Sequence, residues 1–422
     1  MTELTTLIHD ASEIVVGPGD DDTLERYEDA ALAVVDGRVA AVGPTDEIVA
    51  EHPPENASHA IDADGRSVIP GFVDSHTHGL FAGDRSDEFA AKLRGKEYQE
   101  ILAEGGGILR TVRAVREASD EQLLSNLLGH LDTMLAHGTT TVEIKSGYGL
   151  DTGTELRMLD VIRRADDAHP IDVVPTFMGA HAVPEGSDAE AYTERVLDDQ
   201  LPAVADQGVA EFCDVFCEED VFSVAQSRRV LEAGVEHGLT PKVHAEEFVR
   251  LGGAQLAADL DAASADHLLH ANADDRAALA DAGVTPVLLP GTAFSLGADY
   301  ADARAFLDEG GSVAVATDFN PNCHSQSMGF AIALACVGME MTPAEALLAG
   351  THGGARALDR AGEADGADGA DGVGTLREGM AADVTIVDAP SHVHVPYNFG
   401  VNTVETVLKR GEPVSGMEGN HE

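Results

Sequence analysis

The sequence predicts an α/β protein: a TIM (β/α)8 barrel carrying a small β-sandwich domain formed from both chain ends. Three observations predict it. About eight strand candidates end near His78, Lys145, Met178, Phe216, His244, His267, Leu289 and Asp318. Helical patterns lie between most of them, which is the alternation and count of a barrel. Both ends of the chain are rich in short strand-like runs instead. The 422 residues suit a large barrel plus a smaller unit. A doubly wound open sheet is the alternative, but no G-x-G-x-x-G follows the first strand.

At the N-terminal end, Leu32–Val42 holds two apolar runs around Asp36-Gly37, a hairpin signal because glycine accepts the positive φ of a tight turn. Ala382–Asp388 and Thr403–Lys409 read as strands at the other end. Residues 1–67 and 381–422 are therefore expected to form one discontinuous domain, and residues 68–380 the barrel. Within the barrel, Glu121–His137 reads as a helix with Leu124, Leu127, Leu128, Leu131 and Leu135 on one stripe. Leu80–Val115 is a long insertion in which Gly105-Gly-Gly107 permits a sharp turn or a lid. The repetitive Ala-Asp-Gly stretch Glu363–Gly374 reads as a solvated, flexible connection.

Charge excludes some partners. The net charge of −49 repels nucleic acid and anionic membranes. The acids are spread along the whole chain, as on the surface of a protein in a salt-loaded cytoplasm. No apolar run is long enough for a bilayer, and the first residues carry no signal-like pattern, so a cytoplasmic location is expected. Cys213, Cys217, Cys323 and Cys336 form no C-x-x-C pair and no disulfide framework, and are read as structural thiols.

The chemistry is concentrated at strand ends. Val68–His78 is read as an apolar strand, broken at Pro70-Gly71, that ends in His76-x-His78. Residues i and i+2 of a strand share a face, so both imidazoles can reach one ion. His244 ends a later run, with Glu247 just beyond it; His267 ends the next, and Asp318 the last. Each alone could be a hydrogen-bonded histidine or a helix-capping aspartate. Together His76, His78, His244 and Asp318 form a metal set that leaves room for water.

This combination resembles the amidohydrolase superfamily. Further blocks look like the imidazolonepropionase family within it: Phe81–Phe89, Gly105–Val112, Glu143–Leu150, Pro175–Pro184 and Asp318–Pro321. The resemblance implies hydrolysis of 4-imidazolone-5-propanoate to N-formimidoyl-L-glutamate, one zinc or iron ion per chain, and a homodimer. It implies substrate contacts from Arg85, Tyr148, His181, Glu247, Asn320 and Asn322. It implies catalytic roles for Asp318, His267 and Glu247. Arg85 offers a fork suited to a carboxylate. Lys145 is read as a charge partner for Glu143 or a neighbouring acid, not as a metal bridge. The chain departs from the family at Asn322-Cys323-His324, where a glycine usually follows Asn-Pro. Two alternatives remain: a deaminase of a nucleobase-like ring on the same scaffold, or a non-catalytic scaffold protein.

Overall fold

The structure, a computed structural model, describes residues 4–19, 23–96, 100–101, 104–362 and 372–415. Most of the Ala-Asp-Gly connection, residues 363–371, lies outside the described residues. Sixteen strands follow in chain order. The first five are β1 (Leu4–Pro18), β2 (Leu24–Val35), β3 (Arg38–Pro44), β4 (His59–Asp62) and β5 (Ser67–Pro70). The next eight are β6 (Phe72–Asp74), β7 (Thr139–Lys145), β8 (Asp172–Ala180), β9 (Phe212–Cys217), β10 (Thr240–Ala245), β11 (Ser264–His267), β12 (Thr285–Leu288) and β13 (Ala314–Val315). The last three are β14 (Val384–Val387), β15 (Val404–Lys409) and β16 (Glu412–Ser415).

Strands β1–β5 and β14–β16 make one sheet, with β5 antiparallel to β14, so both chain ends meet in it. Its apolar interior takes Ile8, Ile14, Leu32, Val34, Val68, Val384 and Leu408. The β2–β3 turn places Asp36 at φ 51° and Gly37 at φ 77°, as the hairpin signal requires.

Strands β6–β13 form the parallel barrel in sequence order. A bridge between Thr77 and Phe319 brings its two ends together. Two backbone bonds support this closure: His78 N–H to the Phe319 carbonyl (2.9 Å) and Asp318 N–H to the His76 carbonyl (3.1 Å). The closure itself thus sets the His-x-His pair beside Asp318.

Two readings need correction. Val68–His78 is not one strand: β5 belongs to the small sheet and β6 to the barrel. Gly71 lies between them, where a side chain would collide with that of Thr140. The helix read at Glu121–His137 runs Asp120–Ala136, capped by Ser119. Its buried face takes Leu123, Leu127, Leu131, Met134 and Leu135; Leu124 and Leu128 sit half-buried at its margin. Among the described residues, no helix is long and apolar enough to cross a membrane.

Candidate active site

The site is assembled at the C-terminal mouth of the barrel, where the loops after strands present side chains on a rigid frame. His76, His78 and His244 come together, each with a ring nitrogen within 4.8 Å of the others. His244 Nε2 lies 3.3 Å from His78 Nε2. Asp318 Oδ1 lies 3.7 Å from His76 Nε2 and 3.8 Å from His78 Nε2. Tetrahedral ligands about 2.05 Å from an ion stand about 3.3 Å apart, so this donor set fits one ion with modest contraction. His76 Nε2 is buried and has no hydrogen-bond partner, as a lone pair awaiting a ligand would be.

In two of the three rings the other nitrogen faces a carboxylate. His76 Nδ1 meets Asp266 Oδ2 at 2.6 Å, and His244 Nδ1 lies 3.0 Å from Asp214 Oδ2. Such contacts fix which nitrogen faces the ion. Below them lies a fully buried charge network. Lys145 Nζ reaches Asp214 at 2.7 Å and Glu143 at 2.8 Å, and Lys242 Nζ reaches Glu143 at 2.9 Å. Lys145 is therefore an ion-pair partner of Glu143 and of a neighbouring acid. The sequence reading missed Asp214, Asp266 and Lys242. The available signal was charge inside apolar strands, since such residues are almost never buried unless paired.

His267 and Glu247 stand beside this cluster. The His267 ring is 5.2 Å from His244, and His267 Nε2 is 3.7 Å from Glu247 Oε2. Burial, with the neighbouring His244, drives the His267 pKa well below its ordinary value. Burial, with the nearby Asp318 charge, drives Glu247 well above its own. Glu246 anchors the loop that carries Glu247, its carboxylate accepting N–H bonds from Leu251, Gly252 and Ala254. His267 at φ 78° and Asp318 at φ 50° both sit in the left-handed region. That conformation costs of order 1–3 kcal/mol each and clusters at functional sites.

Asp318 is also oriented from its own loop. Its Oδ2 accepts the Thr292 hydroxyl and its Oδ1 accepts Asn320 Nδ2 (2.9 Å). Burial raises its pKa. The Asn320 side-chain oxygen accepts the N–H groups of Asn322 (2.7 Å) and Cys323 (2.9 Å), so Asn320 shapes the loop as well. Cys323 is buried, its thiol pushed up to about 12 by burial and then by Asp318. That agrees with a structural thiol.

Tyr148 and His181 line the next stretch of wall. The His181 ring stacks on His78 at 4.7 Å and lies 5.3 Å from Tyr148. Burial and His244 lower the His181 pKa to about 3, so the ring is neutral. The Tyr148 loop is stitched down by Glu155, which accepts N–H bonds from Gly147, Gly149 and Leu150. Gly147 has φ 100°, and a side chain there would meet the Met178 carbonyl at 2.8 Å. The Gly-Tyr-Gly-Leu block thus has a packing reason.

Arg85 stands further out, at the start of the helix Ser86–Leu93. Its Nε donates to Glu88 Oε2 (2.9 Å), and its side chain is only 10% exposed. Glu88 Oε1 accepts the Gly107 N–H (3.1 Å), which ties the Gly105–Gly107 turn to this helix. Asn322 points its Oδ1 at Lys92 Nζ, 2.7 Å away.

Comparison with known proteins agrees with this geometry. Residues 67–417 match the amidohydrolase family, and residues 30–54 match an imidazolonepropionase-like composite domain of bacteria. An imidazolonepropionase of Haloarcula marismortui is 70% identical over 98% of this chain and 97% of its own. One from Halobacterium salinarum is 64% identical over 99% of this chain and all of its own. One from Symbiobacterium thermophilum is 49% identical over 97% of each. Among solved structures, an adenosine deaminase from Xanthomonas campestris with bound zinc superposes with a TM-score of 0.72 at 18% identity, over 98% of this chain and 93% of that one. A guanine deaminase from C. acetobutylicum gives 0.71 at 15% identity, over 98% and 100%. These last two likenesses show the fold.

Proposed function

The chain belongs to the imidazolonepropionases of the amidohydrolase superfamily, and from that premise we propose which residues carry its reaction. The enzyme is a hydrolase of carbon–nitrogen bonds in histidine degradation, acting on the cyclic amide of 4-imidazolone-5-propanoate. The observation that carries the proposal is the convergence of three imidazoles and Asp318 beside the His267–Glu247 pair.

His76, His78, His244 and Asp318 would hold one zinc or iron ion, which when bound supplies Lewis-acid charge that acidifies water and polarises a carbonyl. The chain's own residues do the rest. Asp318, oriented by the Thr292 hydroxyl and Asn320, accepts the proton of the attacking water. His267 is neutral, so it offers an N–H hydrogen bond to the carbonyl oxygen as negative charge grows there, without giving up the proton. Glu247, whose pKa burial and the Asp318 charge drive upward, delivers a proton to the ring nitrogen as the C–N bond breaks. Water thus supplies the new carboxyl oxygen, the nitrogen leaves as an amidine, and the proton taken by Asp318 replaces the one Glu247 gave, so both return to their starting states. Tyr148 and His181 form the wall against the planar ring, and Arg85 presents its free guanidinium edge to the propionate. Asn320 acts through Asp318 and the loop.

A homodimer is the assembly we propose. Val337, Tyr397, Phe399 and Val401 are 70–83% exposed on the helices Met328–Gly338 and His394–Tyr397 and the segment after them. These elements pack together and carry no acid, in a chain that has 75 acidic residues. Apolar, acid-free surface on so charged a molecule suits a second copy.

The test of the catalytic assignment is His267→Ala. Metal content should stay near wild type while kcat falls by ~10²–10³, the loss of one oxyanion-stabilising group. Loss of metal along with activity would make His267 a ligand and end this division of roles.

A further inference from the structure

Five lysines serve a chain with 75 acids, and four of them are spent on carboxylates. Lys96 pairs with Glu104, Lys145 with Glu143 and Asp214, Lys242 with Glu143, and Lys409 with Asp172 and Asp383. Lys92 differs. Among the described residues no carboxylate lies within 4.0 Å of its ammonium, and its hydrogen bond runs to the neutral Asn322 Oδ1 at 2.7 Å. Lys92 follows Arg85, the residue that caps the start of the helix Ser86–Leu93, by seven residues, close to two helical turns, so the two lie along one side of it. Side chains on a helix lean toward its N-terminus, which draws the Lys92 ammonium back toward Arg85. Burial and then the Arg85 charge hold the Lys92 pKa below its ordinary value. Glu88, which pairs with Arg85 Nε at 2.9 Å, lies between the two in sequence and its charge partly offsets theirs, but it has not closed on the Lys92 ammonium itself.

Resting on the function proposed above, we infer that Lys92 is a second cation for the substrate's carboxylate and a specificity-determining residue. Asn322 is its positioning residue, holding the ammonium over the place the propionate tail occupies. Arg85 takes the carboxylate through its planar fork, and Lys92 takes a remaining oxygen lone pair as a point charge. Molar salt screens charges beyond about 3 Å, so the effect survives there only as direct contact.

The experiment is steady-state kinetics in molar KCl with 4-imidazolone-5-propanoate and its propanamide analogue, which has no charge on the tail. Wild type, Lys92→Gln, Lys92→Arg and Asn322→Gly are compared, with thermal melts to show that each is folded. Lys92→Gln should raise KM for the carboxylate substrate by about tenfold or more, the worth of one charge-assisted hydrogen bond, with kcat within about twofold. The same variant should treat the propanamide as wild type does, and Lys92→Arg should recover most of the loss. Asn322→Gly should raise KM for the carboxylate alone, and should add little in the Lys92→Gln background. Equal losses on both substrates would make Lys92–Asn322 a structural tether, and an unchanged KM would remove Lys92 from the site; either overturns the inference while the reaction stands. Wild-type enzyme inactive on both compounds would instead strike the function itself, and the inference with it.

Discussion

Replacing Asp266 by Asn probes the coupling between the buried charge network and the metal set. Asp266 Oδ2 meets His76 Nδ1 at 2.6 Å, and both side chains are fully buried, so no water can take over the contact. An asparagine oxygen still accepts from Nδ1–H, so the ring keeps its orientation and only the charge is lost. Loss of such a supporting carboxylate costs about 10–100-fold in metal affinity, or about 1.4–2.7 kcal/mol. The fold should tolerate it, because Lys145 keeps Asp214 at 2.7 Å and Glu143 at 2.8 Å and lies 3.9 Å from Asp266. Asp214→Asn would be a poorer choice, since it strips both His244 and Lys145 of a close acid. The assay is zinc titration of metal-stripped protein against a chelating dye in molar KCl, with a melt as control. A dissociation constant within twofold of wild type, in a folded variant, would refute the claim that Asp266 acts on the metal through His76.

Two further outcomes follow from charge. The net −49 should make the melting temperature climb steeply from dilute buffer to molar KCl, since the screening length falls from about 30 Å at 0.01 M to about 3 Å at 1 M; a flat profile would contradict it. Glu13 ties the two chain ends together: its carboxylate takes Arg26 Nη1 at 2.5 Å, Ser67 Oγ at 2.9 Å and His392 Nδ1 at 2.9 Å. Burial pushes its pKa up, but the bonds and charge from His392 and Ser67 outweigh this and bring it from 4.5 to about 2. A depressed folded pKa adds stability that is present above 4.5 and lost as pH falls toward 2. Glu13→Gln should therefore cost about 2–3 kcal/mol in denaturant melts at pH 7, with the gap to wild type closing as pH drops from 4.5 toward 2; a gap independent of pH would count against the linkage.

The sequence carried the barrel because each strand end is marked by a change from apolar to polar residues, and the β-α alternation repeats eight times. It carried the meeting of His76, His78, His244 and Asp318 because all four share that position. It hid the division of Val68–His78 between two sheets. The run stays apolar on both sides of Gly71, and its sheet partners, β14 on one side and β7 on the other, lie far along the chain. The margin of the Asp120–Ala136 helix was likewise obscured, since every leucine on it looks equally suited to burial. Asp214, Asp266 and Lys242 were legible only as anomalies inside strands, because their partners lie up to 190 positions away in sequence. Lys92 could not be singled out, since a lysine on a surface helix reads as solvated until the absence of a neighbouring acid is seen.

The central claim is that these residues hydrolyse a cyclic amide with the help of a bound ion. The direct measurement is the absorbance of 4-imidazolone-5-propanoate, followed in molar KCl with metal-loaded, chelator-treated and reconstituted protein. The account predicts loss of the imidazolone band with formation of N-formimidoyl-L-glutamate, arrest by the chelator, and recovery on adding back zinc or iron. A stable band in folded, metal-loaded protein that instead releases ammonia from a purine ring would contradict it.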